Sequence, residues 1–269
     1  MMSEYETILY EVDDRVATIT FNRPDRLNAI SRTMEHELRD AYARAEGDDD
    51  VWTIVVTANG RAFCSGADVD TVRDDGRVPY DGRYLSDFSE WEAPQEATPP
   101  FRSMTKPVIV GVNGICCGAG LDLVTTGDIV IASETAEFFD PHVSIGLVSG
   151  REMVRLARVL PLNVAMRIAL TGKHERLSAP RAYELGLVTE VVAPDALRDR
   201  LRELAALVNR NAPLAVRGTR LAIRKGLGLP LYEAELLAEA YRERVLHTDD
   251  AKEGPRAFLE KRDPEWKAE

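Results

Sequence analysis

The chain has 269 residues, 45% of them hydrophobic and 29% charged, with 34 Lys and Arg against 45 Asp and Glu and a formal net charge of −11. Those values exclude a disordered or collagen-like chain, and the length suits one large α/β domain, or a main domain with a small terminal subdomain, that buries its core without staples. The negative field disfavours nucleic acid and anionic lipid as partners, and no cluster of five Lys and Arg interrupts it, which leaves small molecules and further copies of the chain.

Apolar positions alternate at the start, Ile8, Tyr10 and Val12, then Ala17, Ile19 and Phe21 beyond the Asp13-Asp14 turn, which predicts two antiparallel strands. Ser31 is placed to cap a helix with Met34, Leu38, Ala41 and Ala45 on one face, ending near Gly47. Residues 51–57, 107–112 and 129–132 are continuous apolar runs and read as strands buried on both faces of a layered core. Residues 70–104 read as a variable, partly helical insert in which Phe88, Trp91 and Phe101 either pack in the core, their default role, or line an apolar pocket. Past residue 134 the pattern is helical over 152–159, 162–170, 179–185, 195–209, 213–225 and 232–246, with a short strand at 187–192 and a last turn at 257–260. The N-terminus lacks a signal-peptide pattern, no apolar run reaches the roughly 18 residues of a membrane span, and the three cysteines, Cys64, Cys116 and Cys117, have no zinc spacing. A reducing, cytoplasmic location is the expectation.

Two glycine-bearing turns each follow an apolar strand: Arg61-Ala62-Phe63-Cys64-Ser65-Gly66-Ala67-Asp68, and Asn113-Gly114-Ile115-Cys116-Cys117-Gly118-Ala119-Gly120-Leu121-Asp122. The glycines either just close tight turns, or let a ligand approach free backbone N–H groups that together form an oxyanion hole. Neither turn carries a dinucleotide or P-loop pattern, so no cofactor is expected.

Taken in order, these segments resemble the crotonase, or enoyl-CoA hydratase/isomerase, superfamily. Phe21-Asn22-Arg23-Pro24 with Leu27-Asn28-Ala29 is similar to its first CoA loop, residues 62–68 to its first oxyanion turn and residues 106–120 to its second; Thr171-Gly172, residues 178–188 and 258–262 match later landmarks. The resemblance implies an α/β fold, a crotonase-like spiral of ββα units (1–195) with a C-terminal helical trimerisation region (196–269). It also implies an acyl-CoA substrate, CoA arriving as part of it, and a homotrimer or dimer of trimers. By motif position the oxyanion amides belong to Ala67 and Ala119, and CoA contacts fall on Asp25, Arg26, Leu27, Ser65, Ala67, Asp68, Val69 and Lys261.

Family hydratases carry two glutamates, one to activate water and one to deliver a proton. Here Asp122 and His142 stand at those positions, and the expectation is that they act as a pair. Asp140, Glu152 and Asp68 are alternative proton-transfer carboxylates; His36, His174 and His247 receive no role. The competing functions are hydration or isomerisation of an enoyl-CoA, hydrolysis or retro-Claisen cleavage of a CoA-linked or cyclic diketone, and acyl-CoA binding without useful catalysis.

Overall fold

The computed structural model describes residues 5–68 and 104–269. The opening hairpin forms as its alternation predicts: β1 (Ile8–Asp13) pairs antiparallel with β2 (Val16–Phe21). Ser31 caps α1 (Arg32–Gly47), its hydroxyl accepting the Met34 N–H, and Met34, Leu38, Ala41, Tyr42 and Ala45 are buried along one stripe.

The three apolar runs become β3 (Thr53–Ala58), β5 (Val108–Val112) and β7 (Ile129–Ser133), and each is followed within a few residues by a short strand: β4 (Ala62–Cys64), β6 (Ile115–Cys117) and β8 (Glu137–Phe139). The chain therefore winds as a spiral, stacking β3, β5 and β7 in parallel in one sheet and β4, β6 and β8 in parallel in a second. β2 extends the first sheet on one side and β10 (Glu190–Val192) on the other; β9 (Leu177–Ser178) closes the second, antiparallel to β8. Every residue of β3 and β5 is buried, as strands covered on both faces require.

The stretch past residue 134 is less uniformly helical than its pattern suggests, because β8 and β9 are three and two residues long, too short to show a period of two. The helices are α2 (Ala119–Thr126), α3 (Arg151–Leu156), α4 (Leu162–Thr171), α5 (Ala179–Glu184), α6 (Leu197–Asn209), α7 (Pro213–Gly226), α8 (Leu231–Leu246) and α9 (Asp249–Glu260). α6 lays Leu197, Leu201 and Ala205 on Val55, Ile109 and Ile131 of the first sheet.

The last helix corrects the expected single turn at 257–260: it begins at Asp249, with the Thr248 side chain accepting the Ala251 N–H. Gly254 and Pro255 lie inside it and hide its length in the sequence, since both disfavour a helix interior. Its start is held by Asp250, whose carboxylate accepts the Lys267 and Ala268 N–H groups of the returning tail. Ser178 occupies the N-cap of α5 but makes no side-chain capping bond. The expected insert at 70–104, with Phe88, Trp91 and Phe101, and the Val69 position lie outside the described residues, Met104 excepted. Among the described residues no helix is long and apolar enough to cross a membrane.

Candidate active site

The first turn leaves β4 at Ser65, with Gly66 at φ +98°, a conformation that excludes an ordinary side chain. The loop at residues 22–30 is zipped onto it. Ser65 N–H donates to Leu27 O at 3.1 Å, Ile30 N–H to Gly66 O at 2.8 Å and Asp68 N–H to Ile30 O at 3.0 Å. This parallel bridge uses groups of Gly66 and Asp68, so the Ala67 N–H between them points to the opposite side. Asp25 and Arg26 are exposed on a single 3-10 turn (Pro24–Arg26), which places them and half-buried Leu27 beside Ser65 and Ala67.

Asp68 is not available as a proton carrier at the site: it is buried, and its carboxylate pairs with the Arg23 guanidinium at 2.8 Å. Lys261 is the exposed αL residue that ends α9, and no described hydrogen bond or ion pair joins it to the turns. Asn28 holds the loop and the turn together and was not singled out by its chemistry in the sequence. It is fully buried at φ +54°, accepts the Arg23 N–H at 2.8 Å, and donates to Asn59 O at 2.9 Å and Ala62 O at 2.7 Å. Its signal was an asparagine just before an apolar stretch in a loop, a residue type that tolerates αL backbone. Asn28→Ala strips these partners from buried backbone groups and is expected to cost about 3 kcal/mol in denaturant unfolding; a loss below about 1 kcal/mol would contradict that role.

The second turn leaves β6 at Gly118, whose φ of +52° and ψ of −121° only glycine adopts readily, and enters α2 at Ala119. The two turns are pressed together. A Cβ on Gly114 would lie 2.2 Å from Arg61 O, one on Gly120 3.0 Å from Cys64 O, and one on Gly66 3.9 Å from Ala119 N. As the first residue of its helix, Ala119 has an N–H with no intrahelical acceptor. The Ala67 and Ala119 N–H groups make no backbone hydrogen bond of their own among the described residues. The three thiols sit behind these turns; burial pushes those of Cys64 and Cys117 up to about 12 and that of Cys116 well above the usual range, so they are inert packing groups.

Asp122 follows one turn into α2 and is buried against α3. Arg155 Nη1 contacts its Oδ1 at 2.6 Å and Arg151 Nη2 lies 4.0 Å from Oδ2. Burial raises its pKa, and the charge of Glu152 adds to that, against the pull of Arg155 and Arg151. The two arginines were missed in the sequence, although their i, i+4 spacing, Arg151 just before the predicted helix at 152–159 and Arg155 within it, was the available signal.

His142 opens the 3-10 turn (His142–Ile145) after β8. Asp140, fully buried, accepts both its backbone N–H and, at 2.9 Å, its ring Nδ1–H. That fixes the tautomer and leaves Nε2 for other work. The ring edge faces the second turn: a Cβ on Gly118 would lie 3.8 Å from His142 Cε1. Asp122 and His142, expected to act as an acid–base pair, make no direct hydrogen bond with each other. Asp140 orients the imidazole, Arg155 takes Asp122, and the two expected partners influence each other only through charge.

The Asp140 hydrogen bond raises the His142 pKa despite burial, with the charges of Asp140, Glu152 and Asp122 adding to it. Burial alone would raise Asp140, but the hydrogen bonds from His142 outweigh it and hold the carboxyl below its usual value. Because His142 is raised, its stabilisation is complete below its unfolded value near 6.5 and is lost as pH climbs through the higher folded value. Because Asp140 is lowered, its stabilisation is complete above its unfolded value near 3.8 and is lost as pH falls through the lower folded value. The Tm deficit of His142→Gln is accordingly expected to be largest between those unfolded values and to shrink as pH rises past the folded His142 value; a deficit independent of pH would contradict the ion pair.

Residues 11–269 match the family model for enoyl-CoA hydratase/isomerase. The chain belongs to the enoyl-CoA hydratase/isomerase family. It is 34% identical over 249 residues to enoyl-CoA hydratase EchA19 of Mycobacterium tuberculosis, covering 92% of this chain and 91% of that one. It is 33% identical over 262 residues to (E)-benzylidenesuccinyl-CoA hydratase of Thauera aromatica, covering 97% and 98%. Among solved structures, an enoyl-CoA hydratase/isomerase from Mycobacterium paratuberculosis superposes with a TM-score of 0.91 at 66% identity, covering 99% of this chain and all of that one. The spiral of paired strands and the C-terminal helices are thus those of this enoyl-CoA hydratase/isomerase family, and an acyl-CoA substrate follows from membership.

Proposed function

We propose that this enoyl-CoA hydratase/isomerase family member hydrates a 2-enoyl-CoA thioester, or moves a double bond within one, with Asp122 and His142 handling the protons. The observation that carries the reading is that His142, oriented by Asp140, shares the wall of Gly118 with the two turns whose Ala67 and Ala119 amides are unspent. Those amides are suited to hold the thioester oxygen as it gains enolate charge, the step at which preorganised donors contribute most. The exposed loop of Asp25, Arg26 and Leu27 together with Ser65 to Asp68 supports CoA contacts beside them; Val69 and Lys261 remain assigned by motif position alone.

The two groups suit addition of water. The Asp122 carboxylate, held against Arg155, takes a proton from water as the oxygen bonds Cβ; the Cα–Cβ π pair moves toward the thioester; and Cα takes the Nε2 proton of the protonated His142, the form that the Asp140 hydrogen bond favours. One water is added, and the proton on Asp122 returns to His142 through solvent. A second reading has its own support: a histidine oriented by a buried carboxylate is also an arrangement that activates water for hydrolysis or retro-Claisen cleavage.

Hydration of a panel of 2-enoyl-CoA thioesters, followed by loss of the conjugated absorbance, tests the first reading. Fast hydration supports it. Turnover of a β-diketone without hydration supports the second, and binding with neither reaction leaves an acyl-CoA-binding protein. We also propose a homotrimer or dimer of trimers, because α8 buries no residue and leaves Leu231, Tyr232 and Leu236 exposed. Light scattering at the mass of three or six chains is the expected result; a monomer would contradict it.

A further inference from the structure

Two arginines of α3 approach Asp122, and the nearer one is enough to balance it. Arg155 Nη1 stands 2.6 Å from Asp122 Oδ1 with its side chain 17% exposed, a close and largely buried ion pair. Arg151, one turn earlier on the same face, stands 4.0 Å from Oδ2, too far for a hydrogen bond, with its side chain 43% exposed. The Arg151 guanidinium therefore lies at the open edge of the site rather than against Asp122. The other carboxylates nearby take different directions. Glu152 is next in the chain, and successive residues of a helix diverge by about 100°; it is buried, and Asp140 is fully buried and turned to His142.

The acyl chain of a bound thioester leads toward this charge. The thioester oxygen is assigned to the Ala67 and Ala119 amides; Ala119 opens α2, and Asp122 lies one turn further along it. With Cα and Cβ between Asp122 and His142, the group that Cβ carries passes Asp122 on its way out, where Arg151 stands. We propose that Arg151 is a specificity-determining residue and that the acyl group it selects ends in a second carboxylate, the substrate being the CoA monothioester of a short dicarboxylic acid; this rests on the placement of the thioester between Asp122 and His142 above. A guanidinium is planar, permanently charged and shaped to take a carboxylate through two parallel N–H donors, which an alkyl terminus does not engage. The acyl group is short because Arg151 follows Asp122 so closely. Arg155, already paired with Asp122, screens the incoming carboxylate from that like charge.

The test is calorimetric binding of two saturated thioesters, which undergo no hydration, to the full chain: glutaryl-CoA and its neutral isostere 5-methylhexanoyl-CoA, in which an isopropyl group replaces the carboxylate. Wild type is expected to bind glutaryl-CoA more tightly. Arg151→Gln is expected to weaken glutaryl-CoA by about 10- to 100-fold while the isostere changes little and Tm is kept. Arg151→Lys, which retains the charge without the fork, is expected to fall between them. Equal binding of the two thioesters by wild type overturns the proposal, and so does a loss in Arg151→Gln that is the same for both, which is what a purely structural arginine would give. Should Arg151→Gln fail to fold, Arg151→Met, of similar length and without charge, takes its place. A glutaryl preference that disappears with Arg151, in a protein that hydrates no enoyl-CoA, upholds Arg151 and sinks the hydration reading. Hydration of enoyl-CoA thioesters without a glutaryl preference sinks Arg151 alone.

Discussion

His142→Gln is expected to lower turnover of a 2-enoyl-CoA thioester by about 10²–10⁴-fold, the usual contribution of a positioned acid or base, while thioester binding changes little. The imidazole is held by Asp140 through Nδ1, so Nε2 is the atom free to give or take a proton. Glutamine is similar in size and can hydrogen-bond Asp140, but it has no titratable nitrogen. Binding is expected to survive because the thioester oxygen is assigned to backbone amides and CoA to the first loop and turn. Measured kcat and KM separate the cases: a fall in kcat with KM little changed is the predicted outcome, and an unchanged kcat would remove His142 from the chemistry. Asp140→Asn should act on the same group more gently, leaving the ring in place while the rate profile moves to lower pH, since the charge-assisted hydrogen bond that raises His142 most becomes a neutral one.

Gly118→Ala is expected to damage both fold and rate. Its backbone, at φ +52° and ψ −121°, lies where an L side chain is strained by about 1–3 kcal/mol. A Cβ there would also stand 3.3 Å from Gly66 Cα, backbone of the opposite turn, which has little freedom to yield. Relief requires the two turns to part, and that moves the Ala119 amide away from Ala67. Loss of one oxyanion donor costs about 10²–10³-fold in kcat, so the variant should show a lowered Tm together with a rate loss larger than any loss of binding. An alanine variant with wild-type kcat would mean that the geometry of this turn does not serve the reaction.

Much of this was legible in the sequence because the relevant signals are local. The continuous apolar runs at β3, β5 and β7 announce doubly covered strands, the Ser31 cap announces α1, and the glycines of the two turns announce close backbone approach. What stayed hidden is non-local or too short to have a period. β8 and β9 exist only through their pairing with neighbours, and α9 runs through Gly254 and Pro255 because its start is tied to the chain's last residues. The same holds at the site. The family resemblance put Asp122 and His142 at one site, but the partners they take, Arg155 and Asp140, depend on how α3 packs on α2 and how the turn after β8 bends back. Asp140 lies two residues from His142 and was readable as a neighbour; Arg155 lies 33 residues from Asp122, and its i, i+4 spacing from Arg151 says nothing of which carboxylate it meets.

The most direct test of the central claim, that the Ala67 and Ala119 amides and the Asp122 and His142 side chains together make and quench an enolate on an acyl-CoA, is proton exchange at Cα. Butyryl-CoA incubated in D₂O with wild type, Asp122→Asn and His142→Gln, and followed by mass spectrometry, reads that step without requiring the physiological acyl chain. The account predicts enzyme-dependent gain of deuterium with wild type and its collapse in His142→Gln. Exchange that persists undiminished in both variants, or that never rises above the rate in buffer although the thioester binds, would contradict it.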